Sequence, residues 1–580
     1  MLFRFQFTIL TSVLLGYTAI AEEFHSTIPP KFNSVEVDYD VEIPMRDGVV
    51  LFADVYRPKG VNAPLSTILI RVPYGKQEPY IFMPAQGRFW ARRGFAFVVQ
   101  DVRGKYASAR DADFVHSIHE LKDGYDTLEW IVKQPWSNGS VGQTGESYMG
   151  YTALASVASK HPAMKCIAPG MTSTDWTITD FQQGVPMLKA SGGWYLDLDA
   201  EAYQDTGSVD YWDLPLAAIG KNAGVKDTMF IEWLRNPRGE LAVKADLRPH
   251  LEGVAIPILH YAGTYDNILG GSLHLWKMMQ RGPAAEKQWL LLGPWDHEMT
   301  PDTTRRVGRI SIGDQAATSL MDKSYEFFEY CLNGIATEFS RGPRIHFFTV
   351  GENRWHQSST WPPENASERE LFFASGSDAG TASGSGRLLS SAPVDGDSDR
   401  FVYDPADPIA LSATYSPWTI AQDLPDRRVL EDRKDILFYD SAPLEEDLNV
   451  TGPIKVVLHA STSAVDTDFT ATLVDLHPDG YAHRVQAGIV RASYRDGFGE
   501  RKLLEPDQIY DYEIDLWATS HLFKKGHSLR VEISSSDFDH YARNLNNGEP
   551  IGFSDRIVKA TQTVHHSPRY PSRIAFWVID

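Results

Sequence analysis

Residues 141–154 read VGQTGESYMGYTAL, and within them Gly145-Glu146-Ser147-Tyr148-Met149-Gly150 decides how the chain is read. A serine between glycines, after a short apolar run and before the small-residue stretch YMGYTALASVASK, is the pattern of a strand that turns sharply into a helix and lifts the serine out of the turn. Such a nucleophile elbow is usually spaced G-x-S-x-G. Here the second glycine stands one place late, and Met149 occupies its position. A string this short also arises by chance in a long chain, so its surroundings must carry the reading.

Those surroundings alternate. From about 35 to 170, the apolar runs STILIRV (66–72), FAFVVQD (95–101) and SVGQTG (140–145) are separated by amphipathic stretches such as DGYDTLEWIVKQ. Buried parallel strands joined by helices are the natural reading. The alternation returns at 253–340 with IPILHYAG (256–263) and KQWLLLG (287–293). The interruption, 171–252, is rich in tryptophan, tyrosine and aspartate without clear strands, and is expected to be an inserted helical cap. From 341 to 580 the pattern becomes alternating strands with turn signals, Pro478-Asp479-Gly480 among them, which predicts a C-terminal β-sandwich or jelly roll.

The gross numbers agree with several domains around sizeable cores. The chain has 580 residues, 43% of them hydrophobic and 23% charged, a globular rather than disordered balance. A formal net charge of -21, with no basic run to interrupt it, argues against nucleic acid as a partner. The first residues place Arg4 before an apolar stretch that ends in Ala19-Ile20-Ala21, a signal-peptide pattern over 1–21 that predicts a secreted or periplasmic protein with no stable membrane association. Cys166 and Cys331 are the two cysteines. Both sit in apolar contexts, and two buried free thiols are expected ahead of a bridge.

An α/β-hydrolase needs a serine at an elbow, an acid after a later strand and a histidine after the next, in that chain order. Ser147 follows SVGQTG, Asp266 closes IPILHYAGTYD, and His297 follows KQWLLLGPWDH. Loops at the carboxyl ends of parallel strands converge on one crevice, so the three are expected to form a Ser-Asp-His triad. The oxyanion hole should combine the Tyr148 amide with a donor from the loop after the third strand, RVPYGK, which offers the Tyr74 hydroxyl. Read alone, a tyrosine after proline more often packs than reacts.

The same segments resemble the family of cocaine esterase, α-amino-acid ester hydrolase, glutaryl cephalosporin acylase and X-prolyl dipeptidyl peptidase, whose elbow is G-x-S-Y-x-G. The resemblance continues through RVPYGK, QDVRGKYAS (100–108), DGYDTLEWI (123–131), PWSNGSVG (135–142), GTYD (263–266), GPWDH (293–297), GENRWHQSSTWPP (351–363) and DSAPLEEDLNVTGP (440–453). It implies an α/β-hydrolase domain with a helical cap and a jelly roll, Ser147, Asp266 and His297 as the triad, and Tyr74 with Tyr148 as the oxyanion hole.

A carboxylic ester is the expected substrate, with an amidase, acylase or X-Pro dipeptidyl peptidase as the alternative on the same triad. Polysaccharide binding by the β-sandwich is the alternative from another class. Where α-amino-acid ester hydrolases carry W-D-x-E-D at the acid loop, this chain has Asp266-Asn267-Ile268-Leu269, so selection for a free α-amine is not expected, and Asp175 and Asp180 are expected to be solvated cap residues. Trp176, Phe181, Met187, Trp194 and Ile268 are candidates for an apolar acyl pocket. His116-x-x-His119-Glu120 lacks a third ligand at suitable spacing. No metal is therefore expected, and without a Walker or dinucleotide glycine motif no cofactor is expected either.

Overall fold

The computed structural model describes residues 26–78, 81–110, 112–298, 305–376 and 378–579. The expected signal segment, 1–21, lies outside them. Among the described residues ten strands form one sheet: β1 (Val35–Pro44), β2 (Val50–Pro58), β3 (Leu65–Val72), β4 (Ala96–Asp101), β5 (Ser137–Glu146), β6 (Met164–Gly170), β7 (Ile258–Gly263), β8 (Gln288–Gly293), β9 (Ile345–Thr349) and β10 (Arg354–Ser358). Their order is β1-β2-β4-β3-β5-β6-β7-β8-β9-β10. From β4 to β9 neighbours run parallel; the β1–β2, β2–β4 and β9–β10 pairs are antiparallel.

The parallel strands read as unbroken apolar runs because both faces are covered. Successive side chains point to opposite faces. Ile68, Ile70, Phe97 and Val99 therefore join one core with Trp90 of α1 (Met83–Arg92), while Leu69 and Val98 join another with Leu128 of α2 (Glu120–Ile131) and Leu154 of α3 (Tyr148–Ala158). Helix α4 (Leu269–Met279) covers the second face, and α5 (Leu320–Asn333) covers the first.

Two expectations are corrected here. The boundary at 341 falls too early, because Ile345–Thr349 pairs in parallel with β8 and Arg354–Ser358 pairs with it in turn. The hydrolase sheet thus reaches residue 358. An apolar strand reads the same whether it extends a parallel sheet or opens a sandwich, and only the crossover through α5 decides. The second correction concerns the cysteines, which form a disulfide with Cα atoms 6.4 Å apart. Helix α5 crosses β6 and brings Cys331 onto Cys166 within bridging range. A buried apolar context suits a thiol and a bridge equally well.

The 171–252 insertion is mostly short helices, such as Thr228–Arg235, with one two-residue strand pair, Phe181–Gln182 with Val185–Pro186. Beyond residue 365, twelve strands among the described residues form one continuous hydrogen-bonded sheet, enclosing a core that includes Leu458, Phe469, Tyr512 and Ile533. No described helix is long and apolar enough to cross a membrane.

Candidate active site

Strand β5 runs into α3 through Ser147, whose backbone sits at φ 57°, ψ -126°, a sparsely populated conformation for a side-chain-bearing residue. The turn is pinned on both sides: Ser147 N–H donates to Gly170 O at 3.0 Å, and Ser147 O accepts from Thr172 Oγ1 at 2.8 Å. The displaced glycine now has a reason. Gly145 has φ +150°, and a Cβ there would lie 2.5 Å from the Met149 Cβ; a Cβ on Gly150 would lie 3.0 Å from both Gly170 O and Thr172 Cβ. Gly145 makes room for Met149, and Gly150 makes room for β6.

Tyr148 points its ring away from the serine. Its hydroxyl donates to Glu120 Oε1 and accepts from Ser117 N–H, both at 2.9 Å, and Glu120 pairs with buried Arg71 at 2.9 Å. As the first residue of α3, Tyr148 has an amide without a partner in its own helix. That amide lies next to Ser147.

Asp266 and His297 stand just beyond the ends of β7 and β8. His297 Nδ1 meets Asp266 Oδ1 at 2.9 Å, and the Asp266 side chain is fully buried. Ile268 N–H donates to the same oxygen at 3.0 Å. Burial opposes a charged imidazole, but Asp266, by charge and hydrogen bond, together with Glu146 and Glu298, outweighs it and holds the His297 pKa above its ordinary 6.5. Glu146 itself is pushed up to about 7 by burial, against the pull of His297.

The β-rich domain holds both of these loops. Trp418 lays its ring 5.0 Å from that of His297, and Glu298 N–H donates to Trp418 O at 3.0 Å. Ala421 N–H donates to Asp296 Oδ2 at 2.8 Å, Asn267 Nδ2 to Pro417 O at 3.4 Å, and Gln486 Nε2 to Thr264 O at 2.5 Å. None of these partners carries a signal in the local sequence.

Tyr74, on the loop after β3, accepts a hydrogen bond from Trp194 Nε1 at 3.1 Å and hydrogen-bonds with Ser147. Burial pushes its phenol up to about 12, with those two bonds pulling the other way, so it stays a proton donor at neutral pH. Lys76 anchors the loop: its amide donates to Asp101 at 2.7 Å, and its ammonium lies 2.6 Å from Asp40 and 3.6 Å from both Asp54 and Asp101. Lys105, from the QDVRGKYAS stretch, donates to the carbonyls of Leu198 and Ala200 and clamps the cap onto the sheet.

Comparison with known proteins gives the same outline. Residues 47–299 match the profile of the X-Pro dipeptidyl-peptidase (S15 family), and 337–575 that of the X-Pro dipeptidyl-peptidase C-terminal non-catalytic domain. Cocaine esterase from Rhodococcus sp. is 32% identical over 94% of this chain and 99% of its own length. The chain belongs to the S15 family. It is accordingly a serine hydrolase with an α/β-hydrolase fold and a C-terminal β-rich domain. Among solved structures, an aminopeptidase from a Thaumarchaeota archaeon superposes with a TM-score of 0.80 at 28% identity, covering 96% of this chain and 99% of its own. An α-amino acid ester hydrolase gives the same TM-score at 26% identity, covering 96% and 98%.

Within this S15 hydrolase the five predicted pocket residues divide. Trp194 reaches Tyr74, and Trp176 stacks on Tyr148 with ring centroids 6.2 Å apart while donating to Ser117 Oγ at 2.8 Å. Ile268 sits beside Asp266 at the start of α4. Phe181 and Met187 are packing residues instead. Phe181 is enclosed by Trp233 and Phe498, each 5.1 Å away, and Met187 by Val185, Ala190 and Ile489. Aromatic and apolar cap residues look alike in sequence whether they line a pocket or close a core.

Asp175 and Asp180 are buried rather than solvated. Asp175 caps the helix at Trp176 and pairs with Arg248 at 2.7 Å; Asp180 accepts from Tyr195 at 2.9 Å. His116 is half-buried, between the rings of Tyr148, Trp176, Trp194 and Tyr195 at 5.2–5.4 Å, and desolvation pushes its pKa down to about 3. It is a neutral spacer in an aromatic box.

Proposed function

We propose that the chain hydrolyses carboxylic esters through an acyl-enzyme on Ser147. His297 Nε2 takes the Ser147 proton as Oγ bonds to the carbonyl carbon, while Asp266 holds Nδ1 and stabilises the imidazolium. The Tyr74 hydroxyl and the Tyr148 amide donate to the tetrahedral oxyanion. Collapse breaks the ester C–O bond, and the alcohol leaves with the proton from Nε2. Water repeats the sequence in reverse roles, freeing the acid and returning the proton to Ser147.

The observation that carries this reading is the buried Asp266–His297 bond, which fixes the tautomer with Nε2 available, in loops beside the Ser147 elbow. Esters of bulky apolar acids fit the neighbours of the triad, since Ile268 and Trp194 bring apolar surface and the cap carboxylates Asp175 and Asp180 are already engaged. Paired nitrophenyl esters and X-Pro anilides test it, with fluorophosphonate labelling mapped to Ser147. Preference for the anilides overturns the ester assignment, and a label elsewhere overturns the nucleophile.

One observation favours cleavage beside an amine as a second reading: Glu146 sets a carboxyl close enough to bias His297. An α-ammonium ester cleaved faster than its acyl-capped analogue would support it. The β-rich domain, in this reading, is a wall of the site rather than a glycan module. Export to an oxidising compartment is supported by the Cys166–Cys331 bridge, because such bonds persist there; activity confined to the cytosolic fraction would exclude it.

A further inference from the structure

Apart from the triad, a cavity of about 340 Å³ lies where the β-rich domain meets residues 309–311 and 351–353, bordered by Asp475, His477, His521 and His527. The fold assembles these residues deliberately. Strand Asp468–Leu476 lies antiparallel to Ser528–Ser534, with Asp475 opposite Leu529 and Leu476 opposite Ser528, so His527 comes beside Asp475. The chain then reverses through Pro478-Asp479-Gly480, with Gly480 at φ +83° and His477 N–H donating to Tyr481 O at 2.9 Å. The turn leaves His477 on the Asp475 side.

The ligand atoms of Asp475, His477 and His527 all lie within 4.8 Å of one another. One Asp475 oxygen is 2.7 Å from His527 Nδ1, and the other is 3.5 Å from His477 Nε2. That second separation is beyond the usual hydrogen-bond range, and His477 Nε2 is a buried nitrogen that makes no hydrogen bond of good geometry. It is, however, the edge of a metal tetrahedron: bonds of about 2.0–2.1 Å place neighbouring ligand atoms roughly 3.4 Å apart. His521 Nε2 meets the Asp475 carboxylate at 3.0 Å, the outer contact that orients a ligating carboxylate. Arg309 borders the same cavity, but Asp426 and Asp479 lie 3.7 and 3.5 Å from its guanidinium.

We propose that Asp475, His477 and His527 form a site for a divalent transition metal of the zinc type, with the fourth position open to the cavity. Two imidazoles and one carboxylate suit that ion better than the all-oxygen shells of calcium or magnesium. Binding at His527 Nδ1 moves the imidazole proton to Nε2, so the ring remains neutral. The metal ties the 476–482 hairpin to the start of the neighbouring strand. The tie extends toward catalysis: the His521 ring stacks on His483 at 5.6 Å, and His483 Nε2 meets the Tyr265 hydroxyl at 3.3 Å, one residue before Asp266.

The test is calorimetric titration of zinc chloride into chelator-stripped full-length protein, with cobalt substitution read by visible absorption. The expected result is one zinc per chain, an intense four-coordinate cobalt spectrum and a Tm that rises with zinc. His477→Ala, a partly exposed hairpin position, should weaken binding by about 10²-fold while keeping the metal-free Tm. Equal zinc affinity in wild type and His477→Ala, a weak six-coordinate cobalt spectrum, or a Tm indifferent to zinc would each overturn the site.

Discussion

The nucleophile half of the proposed active site and its acid–histidine half are held in different ways. Ser147 is positioned by its own neighbourhood: Gly145 and Gly150 open the space, Gly170 and Thr172 receive the backbone, and the Arg71–Glu120 pair anchors the ring of Tyr148. Asp266 and His297 sit on loops whose outer contacts, Trp418, Pro417, Ala421 and Gln486, belong to the β-rich domain. One half is written into a strand–turn–helix, and the other is completed by a domain more than a hundred residues away. A domain whose family profile is described as non-catalytic therefore supplies part of the geometry on which the proposed mechanism depends.

The largest test of that division cuts the bond within the second half. Asp266→Asn keeps the shape but favours the wrong imidazole tautomer, and should lower kcat by about 10⁴-fold. A loss below tenfold in steady-state ester hydrolysis would mean that the buried bond does not set the tautomer. Next comes the donor on the first half. Tyr74→Phe removes a hydroxyl that burial keeps protonated, and should lower kcat by about 10²–10³-fold with KM little changed; a change in KM alone would make it a binding contact.

Trp418→Ala tests the domain contribution itself. Loss of the ring beside His297 should lower kcat by up to about 10²-fold through misplacement of the imidazole, while labelling of Ser147 by a fluorophosphonate slows in parallel. If Tm falls but kcat holds, the interface only packs, and the two halves differ less than the structure implies.

This division also explains what could be read in advance. The order Ser147, Asp266, His297 and the alternation of β3 to β8 are local signals, because an elbow and a buried parallel strand each impose their pattern on consecutive residues. The contacts of Trp418 and Gln486 join segments far apart in sequence and leave no periodicity. The Cys166–Cys331 bridge, the placement of Ile345–Thr349 in the hydrolase sheet and the core roles of Phe181 and Met187 share that property. Each depends on which surface an apolar residue meets, and hydrophobicity alone does not say. The Asp475–His477–His527 grouping escaped for the same reason, since its third member lies 52 residues beyond Asp475, just before the strand Ser528–Ser534.

The smallest expected effect falls on Glu146, the residue that joins the two halves. It precedes Ser147 in sequence, yet its charge acts on His297, helping to hold that imidazole above its ordinary pKa. An ionised carboxylate favours the imidazolium, so Glu146→Gln lowers the His297 pKa. Activity needs the neutral ring, and the acidic limb of the pH–rate profile should therefore move to lower pH in the variant, with the plateau rate preserved. Because burial pushes Glu146 up to about 7, the two groups should share their macroscopic steps, and the wild-type limb should be broader than a single ionisation. The amide removes one of those steps and should restore a single-proton slope. A limb that stays in place shows that Glu146 is not ionised when His297 titrates; one that moves upward shows that the carboxyl acts by hydrogen bonding rather than by charge.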